Sequence, residues 1–153
     1  MGTAINLSAG VAGVSTRKSI ARYLPVVGRV VMGLPLFIFG LNAFLNFIPQ
    51  PTTPMADGAA AFLGALAKSG YMLQLIGGTQ LIVGALLLSG RFVPLALALF
   101  APFIVNSIAF HIVLEPTGLP FATVFLIIEL GLVRSYWHAY RPMLASRTPR
   151  GAR

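Results

Sequence analysis

The chain has 153 residues, of which 57% are hydrophobic and 9% charged, and its mean hydropathy is +0.86. A water-soluble domain carries about 25% charged residues, so too little charge is present to cover a water-facing surface; the length holds about four membrane spans and no separate soluble domain. The absence of Cys excludes disulfides, thiol catalysis and cysteine-ligated metal or iron–sulfur centres, and the net charge of +8 does not indicate nucleic-acid binding, because the basic residues sit at the ends of apolar runs.

Residues 1–22 read as a flexible, basic N-terminal tail. Met1 to Ser15 are small and weakly polar, with no periodic face. They do not read as a signal peptide, since Arg17, Lys18 and Arg22 follow the mild apolar stretch instead of preceding it. The membrane domain is predicted over 23–142, and 143–153 form a basic C-terminal tail. The fold expected is all-α, an integral membrane antiparallel four-helix bundle.

Span one is placed at about 24–47. Pro25 is expected to start it and Pro35 to kink it. Arg29 lies inside it, and Asn42 and Asn46 share a face near its end. Gly33 and Gly40, seven apart, form a small-residue seam open to a neighbouring helix. Residues 48–54 form a linker. A short helix over about 54–69 follows, with Thr53 as its cap, Pro54 at its first position and Gly70 to close it. Met55, Phe62, Leu63 and Leu66 fall on one side of it, so it is expected to lie at the membrane surface.

Span two is placed at 71–90, with Gln74, Thr79 and Gln80 as its polar residues and a second seam at Gly77 and Gly84. Span three, 92–114, carries Asn106, Ser107 and His111; Ser107, His111 and Glu115 are successive i+4 positions on one face. Glu115 to Gly118 form a tight turn. Span four, 119–140, carries one carboxylate, Glu129, near its middle, and closes with Tyr136, Trp137 and Tyr140.

Charge sets the expected orientation. With both termini in the cytoplasm, ten Lys and Arg residues lie inside and only Lys68 lies outside. Tyr23, Tyr136, Trp137 and Tyr140 then anchor the inner interface. Anionic headgroups on the cytoplasmic side are the expected lipid partners.

Two polar groupings stand out. Glu129 lies about 15 Å below the outer interface and Arg29 roughly 9 Å above the inner one. The difference of about 7 Å is within reach of an Arg side chain, so an Arg29–Glu129 ion pair is expected. Arg134 is a poorer partner, since i+5 points it about 140° away. The competing reading is that Arg29 snorkels to headgroups and Glu129 is carried as the neutral acid. In the outer half, Asn42, Asn46, Gln74, Asn106, Ser107 and His111 collect, with Gln80 deeper. They read either as a ligand-binding polar pocket, with His111 titratable and Glu115 at its mouth, or as interhelical hydrogen bonds worth about 0.6 kcal/mol each. With His138 at the opposite interface, His111 is a weak metal ligand, and no metal site is expected. No nucleophile–base pair, paired carboxylates or phosphate-cradling glycine loop is visible, so an independent catalytic activity is not expected.

The segments Gly40 to Pro51 (GLNAFLNFIPQP), Ser69 to Leu97 and Ala101 to Pro120 (APFIVNSIAFHIVLEPTGLP) resemble the DoxX / DoxX-like family of four-helix bacterial membrane proteins. The resemblance covers about residues 22 to 145 and rests on the Gly-Leu-Asn of span one combined with Asn-x4-His in span three. It implies a bundle in the bacterial cytoplasmic membrane. The family's namesake is similar to a small subunit of an archaeal thiosulfate:quinone oxidoreductase, and other members are associated with membrane redox or thiol-stress complexes. Quinone is therefore the implied ligand and a membrane or peripheral redox enzyme the implied partner; a second copy of the chain is the further partner expected if the bundle forms a permeation pathway. Asn42, Asn46, Gln74, Gln80, Asn106 and His111 are the residues that could meet a quinone carbonyl. The chain departs from the family where many members carry Glu in span two and Lys after the first Gly-Leu motif. Gln80 stands at the first place, and Ala43 and Phe44 occupy the neighbourhood of the second. The other functions the residues allow are a proton or small-solute transporter using Glu129 and His111, and a purely structural scaffold.

Overall fold

The computed structural model describes residues 7–49 and 54–144, with side chains described from Tyr23 onward within those limits. The linker at 50–53 with its Thr53 cap, residues 1–6 of the N-terminal tail and the basic tail from 145 onward lie outside the described residues.

Among the described residues, six α-helices follow one another: α1 (Leu7–Leu45), α2 (Asp57–Lys68), α3 (Met72–Ser89), α4 (Val93–Val113), α5 (Leu119–Ser135) and α6 (Trp137–Tyr140), with a 3-10 turn at Pro116–Gly118. No strand occurs among the described residues. Four segments are long and apolar enough to cross a membrane: Tyr23–Leu45, Met72–Ser89, Val93–Val113 and Pro116–Ser135. This is an all-α, multi-pass membrane protein built as a four-helix bundle. The contacts order the spans as a ring, α1–α3–α4–α5, with α5 returning to α1. Neighbours in an up-and-down bundle with short connections run antiparallel.

The closest approach in the bundle is between α1 and α3, and glycines make it. A Cβ on Gly84 would lie 2.5 Å from Phe37 N and 2.9 Å from Gly33 O. A Cβ on Gly40 would lie 2.8 Å from Gly77 O, and one on Gly77 would collide with the Ala43 methyl. The two seven-residue seams therefore face each other in antiparallel register, Gly33 to Gly84 and Gly40 to Gly77. Lipid tails give no hydrophobic drive for helices to associate, so this backbone-to-backbone packing carries the pairing. The main core fills the space beside it. Met32 and Leu36 of α1, Val83 and Leu87 of α3, Val93, Leu97 and Phe100 of α4, and Leu132 of α5 are all buried. Phe100 extends the core outward through Phe103 and Phe125, with ring centroids 5.3 and 6.5 Å away.

Several boundaries differ from expectation. Residues 7–22 are helical and continuous with span one, not a flexible tail. Once a helix exists, extending it adds one hydrogen bond per residue without a new nucleus, and nothing before Pro25 interrupts the backbone. Pro25 accordingly lies inside α1 and does not start it. The surface helix begins at Asp57, three residues after Pro54, with Ala56 as its N-cap. Gly70, at φ +77°, ends it as expected. Span four stops at Ser135, not Tyr140. The break at Tyr136 lets Tyr140 turn back, and its hydroxyl donates to Pro94 O at 2.7 Å, pinning α6 to the start of α4.

Candidate functional site

The expected outer pocket does not assemble. Asn42 Oδ1 accepts the Ile48 N–H at 2.7 Å, and Asn46 takes a left-handed conformation at φ +50°. Both asparagines are used to end α1: one caps with its side chain, and the other tolerates positive φ. Gln74 is exposed and Gln80 half-buried, and six residues apart on α3 they point about 120° from each other. His111 is half-buried. Its Nδ1 lies 2.9 Å from the Glu115 carbonyl oxygen, which can only accept, so Nδ1 carries the proton. The imidazole fills the space where a side chain at Gly118 would stand, and meets the Phe110 ring edge-on at 5.2 Å. His111 therefore shapes the α4–α5 turn.

Glu115 ties that turn to α2. Its Oε1 accepts the Thr117 hydroxyl at 2.6 Å and its Oε2 the Ala56 N–H at 3.0 Å. The Thr117 bond first, and then the Ala56 bond, hold the Glu115 carboxyl below the usual carboxylate value. An N-cap with no side-chain bond of its own thus gets its acceptor from 59 residues away.

Asn106 is exposed and borders a groove. It lines a cavity of about 550 Å³ between α3 and α4, roofed at one end by Phe62 and Leu66 of α2. A smaller space of about 210 Å³ continues from it along α4 toward Leu114. The larger cavity is otherwise apolar apart from Thr79, whose hydroxyl already donates to Leu75 O at 2.9 Å. An amide opening into an apolar, ring-lined groove can orient a mostly hydrocarbon ligand by one hydrogen bond. The sequence marks Asn106 as polar in a span, but not that α2 folds over it.

The half of the bundle on the side of the α3–α4 turn holds the second grouping. Glu129 is 3% exposed and Arg29 is half-buried. Gly28 packs against Ile128 and Leu132, the ideal Cβ lying 3.3 Å from the Leu132 side chain, so Arg29 and Glu129 sit at the same level of the bundle. The expected ion pair is nevertheless not formed. Glu129 Oε2 and Arg29 Nε are both buried without a hydrogen-bond partner. The guanidinium instead reaches the α3–α4 turn, where Nη1 comes 2.5 Å from the place of a Cβ on Gly90. That turn needs glycine twice, for its φ of +68° and for this approach. An Arg side chain escapes hydrocarbon by extending along the helix toward the interface, and here the nearby turn gives it that route. Arg29 thus follows the competing reading, and Glu129 is left alone in the core.

Comparison with known proteins adds no assignment: no family model, curated protein or solved structure matches this chain.

Proposed function

We propose that this protein is an accessory subunit of a membrane redox system, of the DoxX type, which takes a quinone-like lipid in the groove between α3 and α4. The observation that carries the reading is Asn106 opening into the apolar cavity of about 550 Å³. That volume falls within the range of small-molecule sites. Phe62 and Phe103 offer ring faces for a flat head group, and the Asn106 amide offers a donor for its carbonyl. The resemblance in Gly40-Leu41-Asn42 and in Asn106-x4-His111 supports the same class, while Gln80 removes the carboxylate many such relatives carry there. The reading gives His111 and Asn42 no part in ligand contact, because the α4–α5 turn and the end of α1 already engage their side chains, nor Asn46, which lies at the end of α1 away from the groove lining. The expected four-span topology assigns ten of the eleven Lys and Arg residues to one side, which supports a bacterial cytoplasmic membrane location with both termini inside.

The test is saturable binding of a short-chain quinone to the purified protein in detergent. Asn106→Leu is expected to weaken it about two- to tenfold, the worth of one hydrogen bond. His111→Ala is expected to leave it unchanged. Absence of saturable binding would discard the ligand and leave a scaffold.

A further inference from the structure

On the opposite side of the ring, a second groove runs between α1 and α5. It has a volume of about 350 Å³, and its walls include Val27, Gly28 and Val31 on one side and Ile127, Gly131 and Ser135 on the other. Nothing polar in it asks for a partner, since the Ser135 hydroxyl donates to Gly131 O at 2.9 Å. Gly131 leaves its floor open: a Cβ there would meet nothing within 4 Å. The groove follows the helix axes for about 10 Å, from near mid-membrane at Val31 and Ile127 to the inner end at Leu24 and Ser135.

Its mouth has the opposite character. Arg134 is i+3 from Gly131 and i+7 from Ile127, so it lies on the same face of α5, at the groove's inner end. Arg134 is exposed. The chain has three acidic residues. Asp57 and Glu115 lie at the outer end, and Glu129 is buried. Among the described residues, no exposed side-chain carboxylate therefore lies at the inner end to neutralise Arg134. Tyr23 and Trp137, 62% and 46% exposed, mark the interface on the two helical segments flanking this end.

We propose that this groove is a discrete binding site for one anionic glycerophospholipid of the inner leaflet, with an acyl chain along Gly28 and Gly131 and the phosphate on Arg134. An apolar trough that ends at an uncompensated cation selects an amphiphile of that polarity. A second copy of the chain fits less well. A two-fold dimer through this groove is isologous and sets each Arg134 near its counterpart, with no acid to separate them. The site is independent of the quinone reading, which concerns the α3–α4 groove.

The chain's single Trp, Trp137, lies two residues beyond Ser135 and reports on the site. The full-length protein is reconstituted in phosphatidylcholine bilayers in which either phosphatidylglycerol or phosphatidylcholine carries brominated acyl chains, and Trp137 quenching is measured. Phosphatidylglycerol is expected to associate about fivefold more strongly, as one surface cation provides. Arg134→Gln is expected to bring the ratio to about one. Gly131→Leu keeps the charge but fills the groove, and is expected to abolish the preferential quenching; Gly131→Ala should reduce it partway. Lys68→Gln, at the other end, should change nothing. A ratio near one in the wild type, or one that survives both Arg134→Gln and Gly131→Leu, overturns the proposal. So does a dimer that Gly131→Leu dissociates, which would make the groove a protein interface.

Discussion

Glu129 is buried and its Oε2 lacks a partner, so its replacement separates a used carboxyl from a tolerated one. An unsatisfied buried acceptor costs about 1–3 kcal/mol. Glu129→Leu is therefore expected to stabilise the detergent-solubilised protein by about that much, read as a shift in the unfolding midpoint in a denaturing-detergent titration. A loss of stability would mean that Glu129 is paired in the folded protein. This residue was legible in the sequence, because a lone carboxylate in the middle of an apolar run needs no context to stand out. Its relation to Arg29 was legible only in depth. A long side chain at that level can reach toward the core or toward the α3–α4 turn, and the choice depends on Gly90 being close enough to α1 to receive a guanidinium. His111 shows the same limit. Asn-x4-His reads as one motif, but Asn106 borders a groove while His111 is held by the Glu115 carbonyl and the Gly118 backbone.

At the level of the elements, the glycine seams decide how α1 and α3 meet. A Cβ at Gly84 would sit 2.5 Å from Phe37 N and 2.8 Å from Phe37 Cα. Backbone cannot move aside as a side-chain tip can, so the helices must separate along their whole contact. Gly84→Ala is expected to cost about 1–3 kcal/mol, the usual penalty of overpacking. Gly64, in the middle of α2, has nothing within 4 Å of the corresponding position. Gly64→Ala should instead stabilise by about 0.5–1 kcal/mol through the loss of glycine's conformational freedom. The same unfolding titration checks both, and the opposite signs distinguish packing from propensity. The seven-residue spacing of each seam was visible in the sequence. Their pairing was not, since register depends on connection lengths and on which neighbour lies in the ring. The start of α1 was hidden for a different reason. Small residues without a periodic face look like a tail, yet continuation of an established helix needs no face of its own.

For the whole molecule, the up-and-down order follows from four apolar runs, the last three joined by short connections and the first two through α2, and composition alone carries the membrane assignment. The grooves were not readable, because each is a gap between residues distant in sequence: α2 over α3 and α4 at one end, and α1 against α5 at the other. Orientation is the remaining global property, and the absence of Cys makes it directly measurable, since any introduced thiol is the only one in the chain. Arg91 lies in the α3–α4 turn, Arg141 follows α6, and Lys68 ends α2; all three are exposed. The bundle puts the first two at one end and Lys68 at the other. With both termini inside, Arg91→Cys and Arg141→Cys should resist a membrane-impermeant maleimide on intact cells and react once the membrane is opened, whereas Lys68→Cys should react in both cases. Because the positive-inside bias is carried by many residues, removing one Arg should not invert the protein. If Lys68→Cys is the protected position instead, the orientation is reversed, and Arg134 then faces the outer leaflet, where its lipid would have to be found.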